Sequence, residues 1–122
     1  VRILITGSRC WADRKVMERA IWEHTQELNP RDVVIIHGGA VGADRMAEEI
    51  AKEWGFLPVT VPALWAEEGR SAGPIRNQKM IDTYKPELCL AFPCDKSKGT
   101  WDCMRRAERA GIKVVNYGHP GS

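Results

Sequence analysis

The segment Gly38-Gly39-Ala40-Val41-Gly42-Ala43-Asp44 follows an apolar run and leads into residues of helical spacing. Its glycines permit positive φ and close approach of backbone to a ligand. A helix starting there presents free N–H groups and the positive end of a dipole, which suits phosphate. A tight structural turn accounts for the same residues equally well. The spacing is neither G-x-G-x-x-G nor a Walker A loop ending in G-K-[ST], so a standard dinucleotide dehydrogenase or P-loop ATPase is disfavoured. Gly99-Thr100, opening another helical pattern, is a second anion-binding candidate, with a capping threonine as the alternative. Arg9 follows Gly7-Ser8, and Arg76 precedes Asn77. The planar fork of an arginine pairs with phosphate or carboxylate. Arg76 stands in a first helical turn, where a cation opposes the dipole, so helix stability does not explain it. Asp44 suits ribose hydroxyls or the helix dipole, and Asp102 is at home in a first turn in any case. His37 ends an apolar run and fits a hydrogen-bonded core histidine as well as a ligand group. Trp65 lies in an aperiodic stretch and could cover a ligand, whereas Trp22, Trp54 and Trp101 fall on helix faces and are expected in the core.

These residues need a scaffold that collects them. Apolar, β-branched runs predict strands at Arg2–Thr6, Asp32–His37, Leu57–Val61, Leu88–Phe92 and Ile112–Asn116. Helical spacing predicts helices at Arg14–Leu28, Ala43–Trp54, Ile75–Asp82 and from Gly99-Thr100 to Ala110, with Pro62 to Pro74 as a long loop. The alternation implies an α/β fold, a doubly wound, five-stranded parallel sheet with helices on both faces. Its core should hold Ile3, Ile5, Val34, Ile36, Leu90 and Val114. Ligands of such sheets bind beyond the carboxyl ends of the strands. Three of the four segments that follow strands there are glycine-containing turns, while Leu28–Arg31 and Trp54-Gly55 on the other edge are plain. Ser8, Arg9, Gly39, Gly42, Arg76, Gly99 and Thr100 are therefore expected around one cleft.

The 122 residues suit one domain, read as 1–118 with a tail at 119–122. With 43% hydrophobic and 28% charged residues, the composition excludes disorder, collagen and a disulfide-stapled miniprotein. No apolar run approaches the roughly 18–20 residues of a membrane span and no leader is visible, so a cytoplasmic protein without membrane partners is expected. A net charge of +2, from 18 basic and 16 acidic residues, is too balanced to favour nucleic acid. Arg105, Arg106 and Arg109 read as a solvated helix face. Cys10, Cys89, Cys94 and Cys103 form no C-x-x-C pair and have no histidine cluster near them. No metal is expected, and in a reducing cytosol all four should be thiols.

Taken together, Ile3-Leu4-Ile5-Thr6-Gly7-Ser8-Arg9-Cys10-Trp11, His37 through Asp44, Gly73-Pro74-Ile75-Arg76-Asn77-Gln78-Lys79-Met80, Ala91-Phe92-Pro93 and Gly99-Thr100-Trp101-Asp102-Cys103-Met104 resemble YspA-like members of the SLOG superfamily. That superfamily includes Lonely Guy phosphoribohydrolases and DNA processing protein A. The resemblance covers about residues 2–116. It implies a Rossmann-like nucleotide-binding domain, of a kind met in bacteria and phages and commonly homodimeric. The expected function is binding, for sensing or processing, of a nucleotide-derived small molecule: an ADP-ribose or NAD-type ligand or a nucleoside monophosphate. No cofactor is required. Gly7, Ser8, Arg9, Gly38, Gly39, Gly42, Asp44, Trp65, Arg76, Asn77, Pro93, Gly99 and Thr100 are the ligand-binding candidates. The alternative is a phosphoribohydrolase-like N-glycosidic hydrolase, and single-stranded DNA binding is least favoured. Lonely Guy enzymes carry P-G-G-x-G-T-x-x-E, whereas here five residues separate Pro93 from Gly99-Thr100 and Cys103 stands at the glutamate position. An enzyme would thus need Asp102 or Asp44, with Arg76, to stabilise an oxocarbenium-like state.

Overall fold

The computed structural model describes residues 1–94 and 97–118. Five strands, β1 (Arg2–Gly7), β2 (Val34–His37), β3 (Leu57–Thr60), β4 (Leu88–Phe92) and β5 (Lys113–Asn116), form one sheet in the order β3-β2-β1-β4-β5. Every pairing is parallel. Helices α1 (Arg14–Thr25), α2 (Ala43–Trp54), α3 (Trp65–Glu68), α4 (Ala72–Tyr84) and α5 (Lys98–Arg109) connect the strands. Among the described residues no helix is long and apolar enough to cross a membrane.

Alternation of side chains along the strands divides the core in two. Ile3, Ile5, Ile35, Leu88, Leu90 and Phe92 pack with Met17, Ala20 and Ile21 of α1 and with Ala43, Ala47 and Ile50 of α2. Leu4, Ile36 and Cys89 pack on the opposite face with Met80 and Ile81 of α4 and Cys103 and Ala107 of α5. Of the expected core, Ile3, Ile5, Ile36 and Leu90 are buried, while Val34 and Val114 are only partly covered. Val34 starts its strand and Val114 lies on the edge strand, so neither is enclosed on all sides. The tryptophan expectation needs correction. Trp22 is 53% exposed, Trp54 packs edge-on against Phe56 at the core margin, and Trp101 is half-buried.

Several boundaries differ from the periodicity, each for a local reason. The first helix stops at Thr25, whose hydroxyl donates back to the Ile21 carbonyl (2.8 Å), and Leu28 is left exposed beyond it. Asn29 caps a 3-10 turn over Pro30–Asp32, which absorbs the start of the expected second strand. The long loop is mostly ordered structure: α3, a 3-10 turn over Gly69–Ser71, and then α4, which begins at Ala72 rather than Ile75. Gly73 and Pro74 sit in its first turn, where proline loses no helical hydrogen bond. The proposed tail, 119–122, lies outside the described residues.

The cysteine expectation is corrected outright, since Cys10 and Cys94 form a disulfide. Central strands β1 and β4 run parallel with Gly7 opposite Phe92, so the loops leaving them emerge side by side. The Ser8 N–H donates to the Phe92 carbonyl (3.2 Å) and the Cys94 N–H to Ser8 Oγ (3.1 Å), bringing the two Cα atoms to 6.2 Å. Cys89 and Cys103 are free and buried.

Candidate functional site

At the carboxyl edge of the sheet lies a cleft of about 890 Å³, within the range of small-molecule sites. Each strand except β5 sends its following segment to it. The end of β1 supplies Thr6 and Gly7, with Arg9 beyond; the β2–α2 turn supplies Gly38, Gly39, Ala40 and Asp44. Pro62, Ala63, Trp65 and Arg70 follow β3, the start of α4 brings Gly73, Pro74, Arg76 and Asn77, and the start of α5 brings Ser97 through Asp102 and Arg105.

The sequence candidates divide accordingly. Gly7, Arg9, Gly38, Gly39, Asp44, Trp65, Arg76, Asn77, Gly99, Thr100 and Asp102 line the cleft; Ser8, Gly42 and Pro93 do not. Ser8 is buried at the β1–β4 junction. Gly42 packs against the carbonyls of Ser8 and Arg9. Pro93 is buried against the chain at Gly118. His37 is a core histidine: its Nδ1 accepts the Gly39 N–H (3.0 Å), which leaves Nε2–H to donate to Glu48 Oε1 (2.9 Å). Thr60 Oγ1 also donates to Glu48 (2.9 Å), and these bonds, Thr60's foremost, hold the Glu48 carboxyl down to about 2. His37 thus shapes the glycine turn from behind.

Within the cleft, Gly38 is clamped between two charged side chains. Its N–H donates to Asp44 Oδ2 (3.1 Å) and its carbonyl accepts from Arg76 Nη1 (2.9 Å). A Cβ there would lie 2.6 Å from Arg76 Cζ and 3.0 Å from Asp44 Oδ2, so only glycine lets both side chains reach the turn. Asn77 extends the network, accepting from Arg76 Nε (3.0 Å) and donating to the Gly99 carbonyl (3.2 Å) and Asp102 Oδ2 (3.0 Å). Asp102 also accepts from Arg106 Nε at 2.8 Å. Partial burial works to raise the Asp102 carboxyl, but the Arg106 and Asn77 bonds outweigh it and hold it below its ordinary value. Cys103 is buried with its thiol pushed up to about 12 by desolvation, so it supplies no anion in place of a carboxylate.

Asp44 is the opposite case. It is 6% exposed, and its Oδ1 is the one buried side-chain polar atom without a hydrogen-bond partner among the described residues. Burial raises its carboxyl above the ordinary 3.8, against the opposing pull of His37, the Ala40 and Gly38 N–H groups and Arg76. A raised folded-state value means that Asp44's contribution to stability is fully present below 3.8 and is lost as pH rises through the folded value. Asn at this position keeps an acceptor for both N–H groups and removes the charge. We therefore expect Asp44→Asn to melt above wild type at pH 7, with the gain shrinking toward pH 3. Thermal melts at the two pH values check this, and a variant no more stable than wild type at pH 7 would refute it.

Three cleft cations escaped sequence reasoning: Arg70, Lys98 and Arg105. Lys98 opens α5, one residue earlier than periodicity places the helix, and Arg105, read as solvated face, lines the cleft instead. Arg76, expected in a first turn, lies past it because α4 already begins at Ala72. Arg70 sits in the 3-10 turn, where no periodicity reveals a facing. The cleft thus holds five basic side chains against two acidic ones, in a chain whose totals are 18 and 16. Arg9, Arg70, Lys98 and Arg105 form no ion pair among the described residues. Nearly balanced overall, the protein concentrates positive charge here.

Residues 1–67 match the family described as YspA, cpYpsA-related SLOG family. The chain is also 42% identical over 122 residues to the Gene 61 protein of Mycobacterium phage D29, with 96% of each chain covered. Such a match over more than half of the chain, on a fold of the expected parallel order, makes this protein a member of the YspA, cpYpsA-related SLOG family.

Proposed function

We propose that the cleft binds a phosphorylated nucleotide derivative: an ADP-ribose or NAD-type molecule or a nucleoside monophosphate. The carrying observation is that Arg9, Arg70, Lys98 and Arg105 line the cleft and form no ion pair among the described residues. Backbone N–H groups at the start of α5 and the Arg76 guanidinium suit phosphate; the N–H groups of Gly38, Gly39 and Ala40 are already taken by Asp44 and His37. Family membership supports a nucleotide-related ligand.

Binding without turnover is the preferred reading, because Cys103 stands where the hydrolases have a carboxylate. One observation keeps the enzymatic alternative specific: of the two candidate carboxylates, Asp102 is engaged by Arg106 and Asn77, while the buried Asp44 Oδ1 has no hydrogen-bond partner among the described residues. Calorimetry with AMP, ADP-ribose and NAD tests the binding. Arg76→Ala should weaken it roughly ten- to a hundredfold, as a charged donor is worth about 1.5–3 kcal/mol. No free base should appear from these compounds over hours. Base release by wild type that disappears in Asp44→Ala would establish the hydrolase instead, and failure to bind any of the three would end the nucleotide reading.

A further inference from the structure

One wall of the cleft is apolar: Pro62, Ala63, Trp65, Gly73 and Pro74. Apart from the Trp65 indole N–H, none of these offers a side-chain group to phosphate or ribose. Trp65 is 55% exposed, although a tryptophan ordinarily buries most of its large apolar body. Other large exposed apolar side chains, such as Trp22 and Leu57, lie away from the cleft. The indole is held by its edge. A Cβ at Gly73 would lie 3.3 Å from Trp65 Cη2 and 3.9 Å from Cζ2, so the benzo edge rests on bare helix backbone. Glycine weakens a helix relative to alanine, and the first turn of α4 has it where the indole docks. An indole anchored by its edge leaves a π-face as its open surface.

We infer that Trp65 is the stacking platform for an aromatic base, so the ligand class is a nucleotide that retains its nucleobase rather than a bare sugar phosphate. This rests on the nucleotide reading above and sharpens it. The base lies toward Trp65 and the phosphate toward the start of α5, where Lys98, Gly99 and Arg105 line the cleft. Stacking tolerates different bases because each has a π-face, so the platform selects for an aromatic ring and discriminates little between adenine and guanine.

The test compares AMP with ribose 5-phosphate by calorimetry, on wild type, Trp65→Ala and Trp65→Phe, with circular dichroism to check folding. Wild type should bind AMP more tightly than ribose 5-phosphate. Trp65→Ala should lose about ten- to a hundredfold in AMP affinity and leave ribose 5-phosphate unchanged, and Trp65→Phe should recover most of the loss. AMP binding unaltered in Trp65→Ala overturns the platform while leaving the nucleotide reading intact. Equal weakening of both compounds also overturns it, since Trp65 would then only shape the wall. If wild type binds ribose 5-phosphate as tightly as AMP, the base is not recognised and the inference falls. If it binds neither, the nucleotide reading falls and this inference with it.

Discussion

Gly42→Ala should lower the free energy of unfolding by about 3 kcal/mol or more, the combined scale of a strained backbone conformation and an overpacked contact. Gly42 sits at φ 84° and ψ −125°, a region that side-chain-bearing residues avoid. An added Cβ would come within 2.5 Å of the Arg9 carbonyl oxygen and 2.6 Å of that of Ser8. Both obstacles are main chain, so no rotamer change relieves them. The melting temperature should fall by about 10 °C for a domain of this size. Gly99→Ala is the control: its Cβ meets nothing within 4 Å, and because alanine suits a helix better than glycine its melt should be no lower than wild type. Unfolding curves for the two variants settle the matter, and a Gly42→Ala protein as stable as wild type would show that the turn tolerates a side chain.

Reduction of the Cys10–Cys94 bond is the second change of comparable size. The bond closes a loop with a sequence separation of 84, for which chain entropy gives about 4–5 kcal/mol and typical measured values run about 2–4. Urea unfolding with and without dithiothreitol should show a lower midpoint in the reduced protein. A double Cys10→Ser, Cys94→Ser variant should share that loss and ignore reductant. A midpoint indifferent to dithiothreitol in the wild type would rule the cross-link out. Because Arg9 adjoins Cys10 and the start of α5 follows Cys94, the reduced protein should also bind AMP more weakly.

The parallel α/β fold was legible because its signals are local and redundant. The β4 run Leu88–Phe92 is buried at every residue, so a continuous apolar stretch marks it from end to end. The second helix, Ala43–Trp54, has a strong amphipathic pattern and ends at Gly55 with φ 78°, a stop that glycine advertises. The start of α4 was not legible, because Gly73-Pro74 reads as a breaker although both residues fit a first helical turn. In the site, the glycine turn, Arg76 and Asn77 could be singled out from residue type and from following a strand, although Arg76 and Asn77 lie past the first turn expected for them. Arg105 could not: its facing depends on how α5 lies against α4, which periodicity does not state. The disulfide was missed for a related reason. The two cysteines are far apart in sequence and meet only because β1 and β4 are neighbours, a strand order that alternation of elements leaves open.

The bond between Cys10 and Cys94 also turns most of the chain into a covalent ring, with β2, β3, β4 and helices α1 to α4 inside it and β1, α5 and β5 outside it. One largely exposed stretch of that ring runs from Leu64 through Ser71 at the rim of the cleft, in two short helical turns that a protease could reach. A single cut there would open the ring without separating the molecule into two pieces. The protein would keep both strands of its central pair tethered, and the nick would become visible as two fragments only after reduction.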